Sequence, residues 1–172
     1  MTRYQTGFNP YVGAVTLPDS DRMETVKADY VANSVEKVSA TQPFPRVFDL
    51  WSTALKLAVA EDLDPGAVTD LDRRRFHDNI GTLIGNDLPL MALIATVSVR
   101  HGYRYESKTF EEAITVLDEP SEQVRVANVY AHAGADRLLE VVDQHASAPG
   151  PALGRHFQKL ALAQGGTTST AD

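Results

Sequence analysis

Hydrophobic residues recur with helical spacing along most of the chain, and residues 42–63, QPFPRVFDLWSTALKLAVAEDL, show this most clearly. Two prolines precede the apolar run, where a helix tolerates them because their missing N–H groups are not needed. The apolar positions, which include the only tryptophan, Trp51, cover more than one face of the predicted helix. Such a pattern is typical of a helix enclosed by neighbours. We therefore predict a central, buried helix here.

The segments on either side of this helix show the same spacing. An earlier helix is predicted to begin with Ser20 or Asp21 as its N-cap. A third helix is predicted over residues 71–84. A fourth, over residues 88–99, is apolar nearly all round, which predicts burial, and Gly102 is expected to end it. The apolar face of the earliest helix consists of Met23, Val26, Tyr30, Val35 and Val38.

In the last third of the chain, the best local signal is the pair Thr109 and Glu112. In a T-x-x-E capping box, the threonine oxygen accepts from the N3 amide and the glutamate accepts from the cap amide. A helix is therefore predicted over residues 110–117. Residues 122–142 predict further helix, which Gly134 is expected to break or kink.

Together these elements predict an all-α fold, a single-domain helical bundle of about six or seven helices. Residues 11–17 also suit a short strand, or an arm laid on a partner. The predicted divisions are an irregular N-terminal arm over 1–19, a helical domain over 20–146, a linker and terminal helix over 147–164, and a disordered tail over 165–172.

The composition is that of an ordinary globular protein, because 43% of the 172 residues are hydrophobic and 23% are charged. The N-terminal sequence has no apolar core of signal-peptide length. The longest apolar run, at residues 88–99, is shorter than the ~20 residues that span a bilayer. We therefore expect a cytoplasmic, soluble protein. The absence of cysteine excludes disulfides, thiolate metal ligands and cysteine nucleophiles.

The motifs of known catalytic sites are missing from the sequence. The pair His77 and Asp78 invites comparison with metal phosphohydrolases. However, no two of the five histidines have the i, i+3 or i, i+4 spacing that places two metal ligands on one helical face. There is also no nucleophile elbow, phosphate-binding loop or dinucleotide fingerprint. We expect no catalytic residue, no metal and no cofactor, and we expect that the protein is not an enzyme.

Two basic clusters stand out in a chain whose formal net charge is −7. Arginine beside tyrosine is able to grip phosphate or to stack on bases. The alternative explanation is a solvated charged face that balances nearby acids and a helix C-terminus. The candidate nucleic-acid or phosphate-binding residues are Arg73, Arg74 and Arg75 in the predicted third helix, and Arg100, Tyr103 and Arg104 after the fourth.

Two stretches of the sequence resemble parts of a known family. One is PFPRVFDLWSTALKLA, residues 43–58. The other is VRVANVYAHAGADRLLEVV, residues 124–142, in which Ala127 and Asn128 precede Gly134 and a leucine-rich segment. They resemble the opening helix and the closing pattern of small accessory proteins encoded beside bacterial DNA-modification and phage-defence systems, such as the DNA phosphorothioation (Dnd) associated proteins. The resemblance implies a non-enzymatic component of a larger assembly.

The sequence thus favours a helical protein-interaction module that docks on a protein partner or on a second copy of itself. It would be an accessory component of a bacterial DNA-modification or phage-defence assembly, with no membrane partner. The alternative is a nucleic-acid-associated regulatory factor that uses the Arg/Tyr patch, whose binding would weaken steeply with added salt.

Overall fold

A computed structural model describes residues 13–18, 20–65, 73–77, 80–85 and 87–165. Two strands, seven α-helices and two 3₁₀ turns lie within these residues. The 3₁₀ turns are Val35–Lys37 and Thr115–Asp118. In chain order, the strands and helices are β1 (Val15–Pro18), α1 (Asp21–Tyr30), α2 (Val47–Ala60), β2 (Arg73–His77), α3 (Ile80–Ile84), α4 (Leu88–Tyr105), α5 (Phe110–Ile114), α6 (Pro120–Asp143) and α7 (Pro149–Gly165).

Helices make up most of the described chain, which confirms the predicted all-α helical bundle. The two short strands pair with each other. Close contacts group the chain into two compact units, and each unit consists of two separate chain segments. Unit 1 comprises Met1–Leu17 and Arg73–Val129, and unit 2 comprises Pro18–Asp72 and Tyr130–Asp172. Helix α6 therefore contributes residues to both units.

The core of unit 2 includes α2, as its apolar pattern predicts. Trp51 is fully buried, and its ring stacks on that of Phe48 with the centroids 5.5 Å apart. Burying one large apolar side chain stabilises a fold by about 1.5–3 kcal/mol. The helix is shorter than the predicted residues 42–63, because Pro43 and Pro45 both precede its first residue.

The prediction that Gly134 breaks or kinks the chain is wrong, because α6 is a continuous helix through this residue. A Cβ atom placed on Gly134 would lie 1.9 Å from the backbone oxygen of Ala54 in α2. Glycine is therefore needed here for the close approach of two helix backbones within unit 2, and not for a special backbone angle.

Helix α1 begins with Ser20 as its N-cap, as predicted, since the serine side chain accepts from the Met23 amide. The predicted continuation of its apolar face to Val35 and Val38 is wrong, and Val35 is 73% exposed. The reason is that the chain leaves the helix at Val31, where it becomes extended and bridges to another segment.

The terminal helix predicted within residues 147–164 is present as α7, which begins inside residues 147–151, the part predicted to be the linker. Pro149 is its first residue, and proline suits the first turn of a helix. Ala152 and Leu153 are buried, and the Gly150 amide donates to the Ala40 carbonyl at 3.1 Å. The helix is thus attached to the rest of unit 2 through its first two turns. The tail predicted over 165–172 falls almost wholly outside the described residues.

Part of the arm that was predicted to be irregular forms strand β1 of unit 1, in which Val15 and Leu17 are fully buried. The side chain of Asn128 in α6 accepts from and donates to the backbone at this strand, as the backbone of a paired strand would. Its Oδ1 accepts from the Thr16 amide at 3.0 Å, and its Nδ2 donates to the Ala14 carbonyl at 2.9 Å. One side-chain amide thereby pairs with one backbone group in β1 and one just before it.

The prediction of a third helix over residues 71–84 is wrong for its first part. Residues 73–77 form strand β2, and only residues 80–84 are helical. The helical spacing of Phe76 and Ile80 is outweighed by pairing with β1, a long-range contact that supplies partners for the backbone. The acidic residues Asp72 and Asp78, which were expected to balance the charge of Arg73, Arg74 and Arg75, lie outside the described residues.

Helices α4 and α5 are joined by a short connection that ends in the predicted capping box. Thr109 accepts from the Glu112 amide at 3.2 Å, and the glutamate accepts from the Thr109 amide at 2.8 Å. The prediction that Gly102 ends α4 is wrong, because the helix continues to Tyr105. A Cβ atom on Gly102 would lie 3.3 Å from that of Ala113, so this glycine lets α5 pack closely on α4.

No helix in the described part of the chain is long and apolar enough to cross a membrane. Within α4, the mostly apolar stretch is followed by Arg100 and Arg104.

Replacing Gly134 with alanine should destabilise the protein by about 3 kcal/mol or more, because the new methyl group meets backbone atoms that cannot rotate away. The matched control is Gly154→Ala in α7, where a Cβ atom has nothing within 4 Å. This control should be neutral or stabilising by up to about 1 kcal/mol. Urea unfolding measures both changes. Equal stabilities for the two variants would contradict the close contact.

Replacing Asn128 with leucine should cost about 2 kcal/mol or more in urea unfolding, because the Thr16 amide and the Ala14 carbonyl lose their partner. The matched control is Gln158→Leu, the same kind of change at an exposed position of α7. It should change the free energy of unfolding by less than about 0.5 kcal/mol. An unchanged stability for Asn128→Leu would show that this side chain does not hold β1.

Candidate functional site

A groove of about 510 Å³ opens on the surface of unit 1 between α4 and the segment of α5 and its following 3₁₀ turn. Apart from one arginine, its walls are apolar or weakly polar. The lining residues are Ala95, Thr96, Val99, Arg100, Tyr103, Phe110, Ile114 and Leu117.

The spacing of the lining residues explains how the chain forms this groove. Phe110, Ile114 and Leu117 follow one another by four and three residues, so they share one side of the α5 segment. The adjacent positions Ala113 and Val116 are buried. The apolar part of the segment is therefore wider than the part that unit 1 covers.

The residues around the groove include most of the exposed apolar side chains seen in the structure. Within the described ranges, nine large apolar or aromatic side chains are exposed, and six of them belong to residues 88–117. Leu88 is 69% exposed, Tyr103 59% and Phe110 58%. Clustered exposure of this kind marks interaction sites, whereas scattered single residues do not.

The apolar wall of the groove continues along the whole of α4. Leu88, Ala92, Ala95, Val99 and Tyr103 are spaced by four, three, four and four residues, which places them in one stripe. No charged residue occurs in residues 88–99. At 1.5 Å per residue, the 18-residue helix is about 27 Å long. We call this stripe together with the groove the apolar surface of unit 1.

The burial predicted for α4 is therefore correct on one side only. Leu90, Ile94 and Val97 are almost completely buried, but Leu88 and Ala92 are exposed. A helix that is apolar nearly all round is buried when neighbours surround it, and unit 1 provides neighbours on only part of its circumference.

The structure brings some of the predicted binding residues together. Arg100 and Tyr103 both line the groove, and Arg104 lies over the ring of Tyr105 with its guanidinium carbon 5.7 Å from the centroid. The other three candidates, Arg73, Arg74 and Arg75, are in strand β2, and their side chains lie outside the described residues. Binding of nucleic acid or phosphate by these six residues stays a prediction.

A polar cluster lies on the other side of α4 within unit 1. Glu106 accepts a hydrogen bond from Arg125, whose guanidinium also binds Glu122, and the Lys108 ammonium lies 2.8 Å from Glu106. The hydrogen bond from Lys108 lowers the pKa of Glu106 below its ordinary value. The Nε2 atom of His101 is 3.7 Å from the same carboxylate. This cluster fixes the C-terminal end of α4 against α6.

Burial lowers the pKa of His101 below its ordinary value, and the attraction of Glu106 offsets this only in part. Above that lowered pKa the ring is neutral. The ring therefore adds no charge to the buried side of α4, the helix whose exposed side forms the apolar surface.

Unit 2 contains a second polar cluster, centred on Glu61 at the end of α2. Its carboxylate accepts from Arg137 at 2.7 Å and contacts the His156 ring. Burial favours a higher pKa for Glu61, but the hydrogen bonds from Arg137 and His156 outweigh it and lower the pKa. The cluster thus ties α2 to α6 and α7. In the part of the chain that the structure describes, no group of three or more His, Cys, Asp or Glu residues is arranged to hold a metal ion.

Sequence reasoning missed the residues that give the apolar surface its character, above all Leu88, Phe110 and Leu117. A signal was present, because Phe110 occupies the first helical position after the capping box and is followed by apolar residues at helical spacing. That spacing identifies an apolar side but does not say whether another element covers it.

We compared the chain with protein-family models, with curated proteins and with solved structures, and no match was found. The resemblance to Dnd-associated proteins therefore stays a prediction.

The pH dependence of the free energy of unfolding should show that His101 is neutral in the folded protein. Because the pKa of this residue is lower in the folded protein, the unfolded chain takes up a proton first as the pH falls below about 6.5. The stability that the neutral ring contributes is present above that pH and is lost as the pH falls through the lower, folded pKa. His101→Gln should reduce the loss of stability between pH 8 and pH 5, measured by urea unfolding.

The matched control for this measurement is His145→Gln, a change at an exposed histidine in the turn after α6. It measures how much of the effect comes from replacing any histidine with glutamine. If both variants lost the same amount of stability on acidification, His101 would not be the titrating group.

Proposed function

We propose that this chain is a non-enzymatic helical protein-interaction module that docks through the apolar surface of unit 1. The observation that supports the proposal most strongly is the row of exposed and half-buried apolar side chains along α4 and across the groove to α5. Exposed apolar area is unfavourable in water and gains free energy when a partner covers it.

The residue types on this surface support a protein partner. Tyrosine, phenylalanine and arginine are enriched at the centres of protein interfaces, where they contribute much of the binding energy. Tyr103, Phe110 and Arg100 occupy the groove or its walls. Full burial of one such aromatic side chain is worth about 1.5–3 kcal/mol.

The shape of the surface favours a helix over a small molecule. A volume of about 510 Å³ falls in the range of small-ligand pockets. However, exposed apolar side chains continue along α4 beyond the groove, as far as Leu88. A small ligand would leave most of that stripe in water, whereas an apolar helix face laid along it would cover it.

The setting of this module rests on the sequence resemblance alone. An accessory role in a bacterial DNA-modification or phage-defence assembly, and a cytoplasmic location, are part of the proposal for that reason. The absence of enzymatic activity is likewise proposed from the sequence, which lacks the motifs of known catalytic sites.

Nucleic-acid binding through the Arg/Tyr patch is less well supported. Arg100 and Tyr103 face a groove whose other wall is Phe110, Ile114 and Leu117. A phosphate placed there would meet hydrocarbon, whereas phosphate contacts come from cations and amide groups.

A photo-cross-linking amino acid placed at position 110 in the native host tests the proposed function. Phe110 is 58% exposed at the groove, so a partner on the apolar surface should be captured there. The matched control is position 162 on α7, where Leu162 is 71% exposed but lies outside the apolar surface. We expect a protein adduct from position 110 and little from position 162.

The result is read by electrophoresis and mass spectrometry after irradiation. No adduct from position 110, or equal adducts from both positions, would contradict the proposal. An adduct that nuclease treatment removes would favour the nucleic-acid alternative.

A further inference from the structure

We propose that the partner of the apolar surface is a second copy of this chain, with the two α4 helices packed antiparallel about a two-fold axis between Ala95 and Thr96. This inference rests on the proposed function, because it names the occupant of the same surface. It is supported by the order of residues along α4, by their sizes and by the distribution of charge.

The exposed stripe of α4 is close to self-complementary. In an antiparallel pair centred between residues 95 and 96, Leu88 of one copy lies opposite Tyr103 of the other, and Ala92 lies opposite Val99. A two-fold interface requires such matching, because the same patch must fit itself. Leu88 would thereby cover one of the exposed groove residues of the other copy and be covered itself.

The middle of the stripe is formed by small side chains. Ala92 and Thr96 are exposed, and Ala95 is partly buried. Small residues allow two helix axes to approach to about 8 Å, whereas larger ones hold them further apart. Larger apolar residues, Leu88 and Tyr103, stand near the two ends of the stripe. The two helices would therefore touch at the small residues in the middle of the stripe, and the larger side chains would pack together at its two ends.

Charge does not oppose this arrangement. Residues 88–99 carry no charge, so none lies at the two-fold axis. Arg100 of one copy is opposite Met91 of the other, which separates the two arginines by about 14 Å along the axis. That distance exceeds the Debye length of about 8 Å at physiological ionic strength. Antiparallel packing also places the helix dipoles in a favourable orientation.

The area of the surface predicts a reversible dimer. A helix about 27 Å long, with the adjoining groove wall, offers on the order of 500 Å² per copy, or about 1,000 Å² in total. This is near the lower limit for a specific interface and far below that of obligate dimers. The protein should therefore exchange between monomer and dimer as its concentration changes.

Sedimentation velocity over a concentration series tests the association. The unchanged chain should approach twice its mass of 18.8 kDa as the concentration rises. Thr96→Glu places two like charges beside the two-fold axis and should weaken association at least tenfold. Ala161→Glu, at an exposed position of α7, is the matched control and should leave the association unchanged. Circular dichroism should show the same helix content in all three proteins.

Disulfide trapping tests the geometry, and the chain suits it because it has no cysteine of its own. Thr96→Cys should form a cross-linked dimer on mild oxidation, since a disulfide requires Cα atoms within about 7 Å. Leu162→Cys, also at an exposed position but on α7, should stay mainly uncross-linked. A mixture of Leu88→Cys and Tyr103→Cys proteins should give the mixed dimer in preference to dimers of either alone.

A monomer mass at all concentrations, together with no preference for cysteine 96 over cysteine 162, would overturn the second copy as occupant. A dimer in which Leu88→Cys links to itself would overturn the antiparallel arrangement. These results are distinguishable from failure of the proposed function. A monomer that still gives a host-protein adduct at position 110 keeps the interaction role, whereas a monomer without any adduct overturns both.

Discussion

Helix α6 supplies the contacts on which both compact units depend. In unit 1, its residue Asn128 takes the place of a neighbouring strand for β1, with one acceptor and one donor at hydrogen-bond distance. In unit 2, its residue Gly134 leaves room for the backbone of α2 at Ala54. Neither requirement concerns hydrophobicity. The first needs a side-chain amide and the second needs the absence of a side chain, so each position accepts a single residue type.

The contacts inside the units account for these residues of α6, but they do not account for all of α4, since this helix has more apolar surface than unit 1 covers. Ile94 and Val97 are buried, and the next side of the helix holds the polar cluster around Glu106. The stripe from Leu88 to Tyr103 stays exposed or half-buried. An exposed leucine contributes nothing to folding through burial. Folding therefore explains the buried side of α4, and we propose that association accounts for the composition of the exposed side.

Local signals in the sequence were sufficient for the helices whose ends are fixed by nearby residues. Ser20 and Thr109 cap their helices with their own side chains, and the apolar run around Trp51 leads to a buried helix. Contacts between distant segments were not predictable in this way. Strand β2 exists because it pairs with β1, and the role of Gly134 depends on a residue 80 positions earlier. The same holds for the candidate site. The sequence shows the apolar spacing of its residues, but it does not show whether other segments cover them.

The basic candidates illustrate why composition alone does not separate two kinds of binding surface. Arginine and tyrosine are favoured both where proteins grip nucleic acid and at the centres of protein interfaces. What distinguishes the two is the neighbouring side chains. A nucleic-acid site surrounds them with further cations and open backbone amides. Around Arg100 and Tyr103 the chain instead places Phe110, Ile114 and Leu117, and the exposed residue after Phe110 is the acidic Glu111. We therefore propose that these two residues, which suggest phosphate binding in the sequence, contribute in this apolar setting to contact with another helix.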